Sequence, residues 1–254
     1  MSRFYPVMLD LAGVDCLVVG GGRVAERKVE GLLSVGARVT VIAPRATDGL
    51  AELARAGKIQ HERRPFASGD TAGYKLVIAA TDDARLNAEV AGEARRRGLL
   101  ANVVDCAPES NFIVPAVVRR GELVIAVSTG GSSPAQARRI REQLEGEFGP
   151  EWGPYLALLD ELRPQVIATF PPGPGREAIF QRLAASRVRE RLACRDRDGV
   201  QAEIRGCLGE DGERLAEQVA TAVSRALALL EGVAKSSAQD GERDAAKEDE
   251  AQGG

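Results

Sequence analysis

The stretch VDCLVVGGGRVAERK, residues 14–28, constrains the chain more than any other. Its apolar run ends on Gly20, and Gly20, Gly22 and Ala25 form G-x-G-x-x-A ahead of a helical pattern. Glycines at these points permit a tight strand-to-helix turn and let backbone N–H groups approach a pyrophosphate, which the positive end of the helix favours. A purely structural turn is the competing reading, and the position after a strand weighs against it. The alternation continues downstream. ARVTVIA (37–43), KIQHERR (58–64), KLVIAAT (75–81) and LLANVVD (99–105) read as strands. Between them, Val24, Lys28, Leu32 and Val35, and then Leu86, Val90 and Ala94, fall near helical spacing. Strands alternating with helices imply an α/β fold with a parallel, Rossmann-like sheet.

One part of the fingerprint is missing. The second strand runs into VTVIAPR, with no Asp or Glu where a ribose-binding carboxylate is expected. Arg45 lies there instead and is equally suited to a phosphate, so the residues alone leave NAD against NADP open.

After Asp105 the rhythm changes. NFIVPAVV, a turn at RRGE and LVIAVST read as a β-hairpin, and SSPAQARRIREQLEGEF as a helix opened by Ser and Pro. Helical stretches follow at about 152–168, 175–193 and 210–234, with VQAEIRGCL ambiguous between strand and helix. Together these give four segments: a nucleotide-binding domain at 1–112, a region holding the hairpin and a substrate loop at 113–150, a small helical domain at 151–234, and a tail at 235–254. The tail has hardly any apolar side chain larger than alanine and is expected to be disordered.

A second glycine loop, Ser128 to Pro134, joins the hairpin to a helix whose first turns carry Arg138, Arg139 and Arg141. Free N–H groups, hydroxyls and the helix end suit an anion. An ordinary helix start with a solvated basic face is the equally weighted alternative. Two loops of this kind suggest two anionic ligands, a dinucleotide and a substrate carrying carboxylates or phosphates.

Composition narrows the classes of partner. Net charge is −3 with 28% charged residues, so neither a nucleic-acid backbone nor an anionic membrane is favoured. Apolar runs such as LVIAA fall far short of the ~20 residues that cross a bilayer, and MSRFYPVMLD lacks a signal peptide's apolar core, so a cytoplasmic protein is expected. Cys16, Cys106, Cys194 and Cys207 have no CxxC spacing, and His61 is the single histidine, so no metal cage or disulfide framework is expected. His61 on the third strand reads as structural, and Cys194 and Cys207 as packing residues. Asp105, at the end of the fifth strand, is the candidate general base, because ligands of open α/β sheets bind beyond the carboxyl ends of the strands. An Asp that caps the following turn is the alternative.

FYPVMLDLAGVDCLVVGGGRVAERK, AATDDARLN, NVVDCAPESNFIVPAVV and AVSTGGSSPAQARRIRE, in this order and spacing, closely resemble the precorrin-2 dehydrogenase family, which includes the N-terminal module of siroheme synthase. The resemblance covers residues 3–150 strongly and the helices to about 220 loosely. It implies NAD-dependent oxidation of precorrin-2, a polycarboxylate tetrapyrrole, to sirohydrochlorin, with ferrous iron insertion in some relatives. It also implies a homodimer built through a central dimerisation region, and a helical C-terminal domain. On the residues that match, it places the cofactor at Gly20, Gly22, Arg23, Val24, Pro44, Arg45, Thr81, Asp82 and Asn102. It supports Asp105 as the catalytic residue and assigns no resident metal. The substrate is expected at Ser128, Thr129, Gly130, Gly131, Ser132 and Arg138. Two other readings remain: a regulatory module that binds NAD(H) without chemistry, and a reductase of a different small molecule.

Overall fold

The computed structural model describes residues 4–104 and 106–233. It divides into two compact units, one holding the chain up to Pro115 together with Gly130–Ser133, the other holding Ala116–Thr129 and the chain from Pro134.

In the first unit, β1 (Asp15–Val19), α1 (Arg23–Leu33), β2 (Arg38–Ile42), α2 (Asp48–Arg55), β3 (Gln60–Glu62), β4 (Leu76–Ala79), α3 (Ala84–Arg96) and β5 (Leu100–Val103) follow one another. The five strands are all parallel and lie in the order β3-β2-β1-β4-β5. Strands β1, β2, β4 and β5 are largely apolar because both of their faces are covered, whereas the edge strand β3, Gln60-His61-Glu62, is polar and only partly buried. Cys16 and Val18 join Val39, Val41 and Ile78 under Val29 and Leu32 of α1 and Leu50 of α2. Leu17 and Val19 join Val77, Ala101 and Val103 under Val90 and Ala94 of α3. Leu17 is fully buried on the central strand, so its truncation to alanine would cost about 2–5 kcal/mol. The sheet order reverses between β1 and β4, and the carboxyl ends of those two strands therefore open the crevice where such sheets bind ligands.

Two expectations change in detail. The face of α1 that packs on the sheet is Ala25, Val29 and Leu32, not the row through Val24 and Lys28, because Val24 turns toward the crevice. Helix α2 was not anticipated: Thr47 caps it, its side chain accepting from the Leu50 N–H at 3.3 Å, and Leu50 anchors its one buried turn.

In the second unit, β6 (Ala116–Arg120) and β7 (Leu123–Val127) form the expected hairpin. Gly121, at φ 57°, makes its turn, and a side chain there would press on Gly153. Arg120 ties the hairpin to the end of α4 (Pro134–Glu147), donating from Nε to the Phe148 carbonyl at 3.0 Å. Helices α5 (Trp152–Thr169), α6 (Pro174–Ala185), α7 (Val188–Ala193) and α8 (Arg197–Leu208) follow, then a short 3-10 segment (Gly209–Leu215) and α9 at residues 216–233. Leu158, Leu162, Leu183, Leu192, Ile204 and Val223 meet in their common core. The segment VQAEIRGCL is helix: Val200, Ile204 and Leu208 recur every four residues and all are buried. The stretch 175–193 is two helices, broken at Ser186, whose hydroxyl donates back to the Leu183 carbonyl at 2.7 Å. Cys207 packs in the core as expected, whereas Cys194 caps the end of α7 and is exposed. Among the described residues no helix is long and apolar enough to cross a membrane. The tail expected to be disordered lies outside the described residues.

Candidate functional site

Three consecutive glycines make the β1–α1 turn, and each answers to a different neighbour. Gly20 has φ 126°, and a Cβ on it would stand 2.2 Å from the Ala80 carbonyl oxygen. A Cβ on Gly21 would stand 2.0 Å from the Arg45 carbonyl oxygen. The protein's own packing therefore demands glycine at both. Gly22 is different: it has ordinary extended backbone, at φ −83° and ψ 179°, and a Cβ there would meet nothing within 4 Å. It is also the N-cap of α1 and supplies no side-chain cap for the first N–H groups of the helix. Ala25, the last fingerprint position, is fully buried where α1 meets the sheet.

The space above this turn is a cavity of about 620 Å³. Gly20, Gly22, Arg23 and Val24 border it on one side, Pro44 and Arg45 follow from the end of β2, and Thr81 and Asp82 from the end of β4. Eight of the nine residues expected at the cofactor thus meet around one space. Pro65 and Phe66, from the β3–β4 loop, complete a wall that sequence reasoning did not foresee. The side chains of Arg23, Arg45 and Asp82 make no hydrogen bond or ion pair with another described residue, which leaves two cations and one carboxylate for a ligand.

Asn102, the ninth, is not among the residues that line the cavity. It is 8% exposed, and its Nδ2 donates to the Phe112 carbonyl at 3.1 Å. A different asparagine supports the site. Buried Asn87, in the first turn of α3, accepts from the Thr81 N–H and hydroxyl at 3.1 and 2.8 Å and donates to the Thr81 carbonyl at 2.9 Å. It stands inside the motif AATDDARLN, and its polarity beside the apolar positions Leu86 and Val90 was the available signal.

Asp105, the candidate base, lies outside the described residues. Of its neighbours in sequence, Val104 lines the cavity and its N–H donates to the Ala79 carbonyl at 3.0 Å, while the Cys106 N–H donates to the Val103 carbonyl at 3.2 Å. The chain after them is a loop with one 3-10 turn (Ala107–Glu109), held back against β5 by two side chains. The Ser110 hydroxyl accepts from the Val103 N–H at 2.9 Å, and the Asn111 amide brackets the edge of the strand, accepting from the Ala101 N–H and donating to the Leu99 carbonyl, both at 2.8 Å.

In the second glycine loop, Gly130 and Gly131 have φ 64° and 90°, conformations that favour glycine. Gly130–Ser133 belong to the sheet unit, and a Cβ on Gly131 would touch Ala107 at 3.6 Å, so this loop abuts the turn after β5. Ser128 and Thr129 belong to the other unit. None of Ser128 to Ser132 lines the cavity. On α4, Arg138 is paired with Glu142 at 2.9 Å and Arg141 with Glu145 at 2.6 Å. His61 is a structural histidine, its Nε2 donating to the Ala43 carbonyl at 3.0 Å. The thiol of Cys16 is pushed up to about 11, first by burial and then by Asp15, which makes it inert at neutral pH.

Comparison with known proteins agrees with this geometry. Residues 7–116 match the family described as "Putative NAD(P)-binding", and residues 120–147 match "Sirohaem biosynthesis protein central". A siroheme synthase of Methylococcus capsulatus is 39% identical over 222 residues, covering 87% of the chain and 44% of that protein. A siroheme synthase of Chromobacterium violaceum is 38% identical over 202 residues, covering 80% of the chain and 43% of that protein. The chain thus spans less than half the length of these curated relatives. A solved structure of SirC, precorrin-2 dehydrogenase, superposes with a TM-score of 0.61 at 25% identity, covering 91% of this chain and all of that one.

Proposed function

The chain is similar to siroheme synthases over less than half of their length and to a precorrin-2 dehydrogenase over the whole of that chain, and we propose that it is a member of the precorrin-2 dehydrogenase family that oxidises precorrin-2 to sirohydrochlorin with NAD. The observation that carries this reading is the superposition on the whole of a precorrin-2 dehydrogenase chain, at 91% coverage of this one. An alignment confined to the sheet would speak only for nucleotide binding.

The residues present fit a dinucleotide. The open space at Gly22 and the uncapped start of α1 suit a pyrophosphate, and Arg23 adds a cation beside it. Pro44 and Arg45 would lie against the adenosine half, and the cavity-lining residues at the end of β2, Ile42 to Ala46, include no carboxylate to grip the ribose. Thr81 and Asp82 border the other half of the crevice, with Thr81 fixed by Asn87. When bound, the nicotinamide supplies the hydride acceptor. The chain's own task is to hold the tetrapyrrole against it and to take up the proton released with the hydride, for which Asp105 is the candidate base.

The tetrapyrrole is a polycarboxylate, and the loop Ser128, Thr129, Gly130, Gly131 and Ser132 with Arg138 offers hydroxyls, glycine N–H groups and a cation to it. Arg138 has a 78% exposed side chain, so its pair with Glu142 is worth only about 0.3–0.5 kcal/mol and is easily exchanged for a substrate carboxylate. We further assign the segment 113–150 to dimerisation and the protein to the cytoplasm. Ferrous iron, where it is inserted, is a substrate, with Asp105 receiving the displaced pyrrole protons.

Mixing the protein with precorrin-2 and NAD, and following NADH and sirohydrochlorin absorbance together, tests the reading. Both should rise in equal amounts, and Asp105→Ala should abolish the rise while leaving NAD binding intact. A folded, NAD-binding protein that leaves precorrin-2 unchanged would overturn the reading in favour of a regulatory module. Adding ferrous iron to sirohydrochlorin with and without the protein tests chelation, which requires metallation above the spontaneous rate.

A further inference from the structure

The wall formed by Pro65 and Phe66 belongs to a long connection, residues 63–75, between β3 and β4, which contains neither helix nor strand. Loops of about this length without secondary structure are uncommon in compact domains and are usually functional. This one is held by two carboxylates of the sheet unit. Arg64 forms a fork onto Asp70, with Nη1 to Oδ2 at 2.6 Å and Nη2 to Oδ1 at 2.8 Å, and its Nε and Nη2 also reach Glu62 Oε2 at 2.9 and 2.6 Å. Asp70 Oδ2 accepts in addition from the Ala67 N–H at 2.7 Å. The guanidinium therefore bridges the end of β3 to the far side of the Pro65–Phe66 bend.

The second carboxylate is Glu93 on α3, which is only 5% exposed. Its Oε2 accepts from the Gly69 N–H at 2.9 Å, and its Oε1 accepts from the Thr71 N–H at 3.2 Å and from the Thr71 hydroxyl. Arg97 Nε lies 3.4 Å away. Thr71 itself is fully buried. A buried charge that spends its lone pairs on one loop is costly unless fully bonded, and replacing it with an apolar residue would leave the loop N–H groups unmet. Neither Glu93 nor Asp70 borders the cavity.

We propose that Glu93 and Asp70 are positioning residues for dinucleotide binding, which act by fixing the β3–β4 loop so that Pro65 and Phe66 stand as a preformed wall of the cavity. This rests on the cavity being the dinucleotide site. The wall is ordered before the ligand arrives, so the entropy of ordering it is not charged to binding.

Glu93→Gln and Asp70→Asn test the device, with Phe66→Ala as a variant that alters the wall while sparing the clamp. The NAD dissociation constant, KM for NAD, kcat at saturating NAD and the rate of tryptic cleavage after exposed Arg63 are measured, with thermal melting alongside. The clamp variants should raise the dissociation constant and KM for NAD about tenfold, leave kcat within about twofold, and speed cleavage after Arg63 by a similar factor. Phe66→Ala should raise KM for NAD without changing the cleavage rate of the free protein. Clamp variants that lower the melting temperature but bind NAD as the wild type does would overturn the proposal, as would a loss of kcat equal to the rise in KM. A wild-type protein that fails to bind NAD would overturn the site assignment as well, and so is distinguishable from failure of the clamp alone.

Discussion

Three adjacent glycines with three different neighbours separate what folding requires from what a ligand requires. At Gly21 the alanine methyl would overlap the Arg45 carbonyl, so Gly21→Ala must displace the backbone after β2 and should cost about 1–3 kcal/mol, read as a lower denaturation midpoint. At Gly22 the same methyl enters open space on ordinary backbone, so Gly22→Ala should melt close to the wild type. It should nevertheless weaken NAD binding by about tenfold or more, because the methyl occupies the approach of a pyrophosphate to the α1 N–H groups. Calorimetric titration beside thermal melting checks the pair. Equal effects of the two substitutions on melting would contradict the division of labour. Both positions were visible in the sequence as a run of glycines. Which of them the ligand needs was not, because that depends on Arg45 and Ala80, which approach only when β2 and β4 flank β1.

At the scale of elements, the adjacent acids Asp82 and Asp83 show how one helix start serves two purposes. Asp83 is the N-cap of α3, its Oδ1 accepting from the Arg85 and Leu86 N–H groups at 2.8 and 3.3 Å, while Asp82 borders the cavity. Asp83→Ala should lose about 1 kcal/mol of stability with little change in NAD affinity, and Asp82→Ala should do the reverse. Denaturant melts and NAD titrations of both variants decide it, and a reversed pattern would mean the roles are exchanged. The strands and the hairpin were legible because apolar runs bounded by glycine and proline mark buried strands strongly. Helix α2 was not, since it buries a single residue, Leu50, and its cap Thr47 is an unremarkable threonine in the sequence. The break at Ser186 was hidden for a similar reason: Ile179, Leu183 and Val188 keep nearly helical spacing across it, and only the hydroxyl bonding back to Leu183 reveals the end of α6. The cavity residues were legible through motif order, and Asn87 stood within one of those motifs, whereas Pro65 and Phe66 depend on how the β3–β4 loop is held against α3, which no local pattern encodes.

For the whole molecule, the carboxylates that favour ionisation are unevenly distributed, and acid should reach the two units differently. In the sheet unit, the Arg64 fork, opposed by burial and aided by the Ala67 N–H, holds Asp70 below its ordinary 3.8. Burial alone would raise Glu93, but the Thr71 hydroxyl, the N–H groups of Gly69 and Thr71 and the Arg97 charge together bring it below its ordinary 4.5. Asp15 is lowered too, by Arg38, but that pair is exposed and contributes little. In the helical unit, among the described residues, Asp196 is such a group, lowered by the Gly199 N–H and then by Arg191. A carboxyl whose folded value is depressed gives stability that is complete above its unfolded value and drains away as pH falls through the folded one. Acidification from about pH 4.5 downward should therefore loosen the sheet unit first, through the same Asp70 and Glu93 that hold the β3–β4 loop. Trp152, the single tryptophan, lies in the helical unit against Phe148 and Tyr155, so its fluorescence reports that unit while NAD binding reports the other. NAD binding should be lost at higher pH than the Trp152 transition. The stability gap between wild type and Glu93→Gln, widest near neutral pH, should narrow across the same interval, because protonated Glu93 no longer differs in charge from glutamine. Coincident transitions, or a gap that widens in acid, would show that the acid-sensitive carboxylates do not govern the sheet unit.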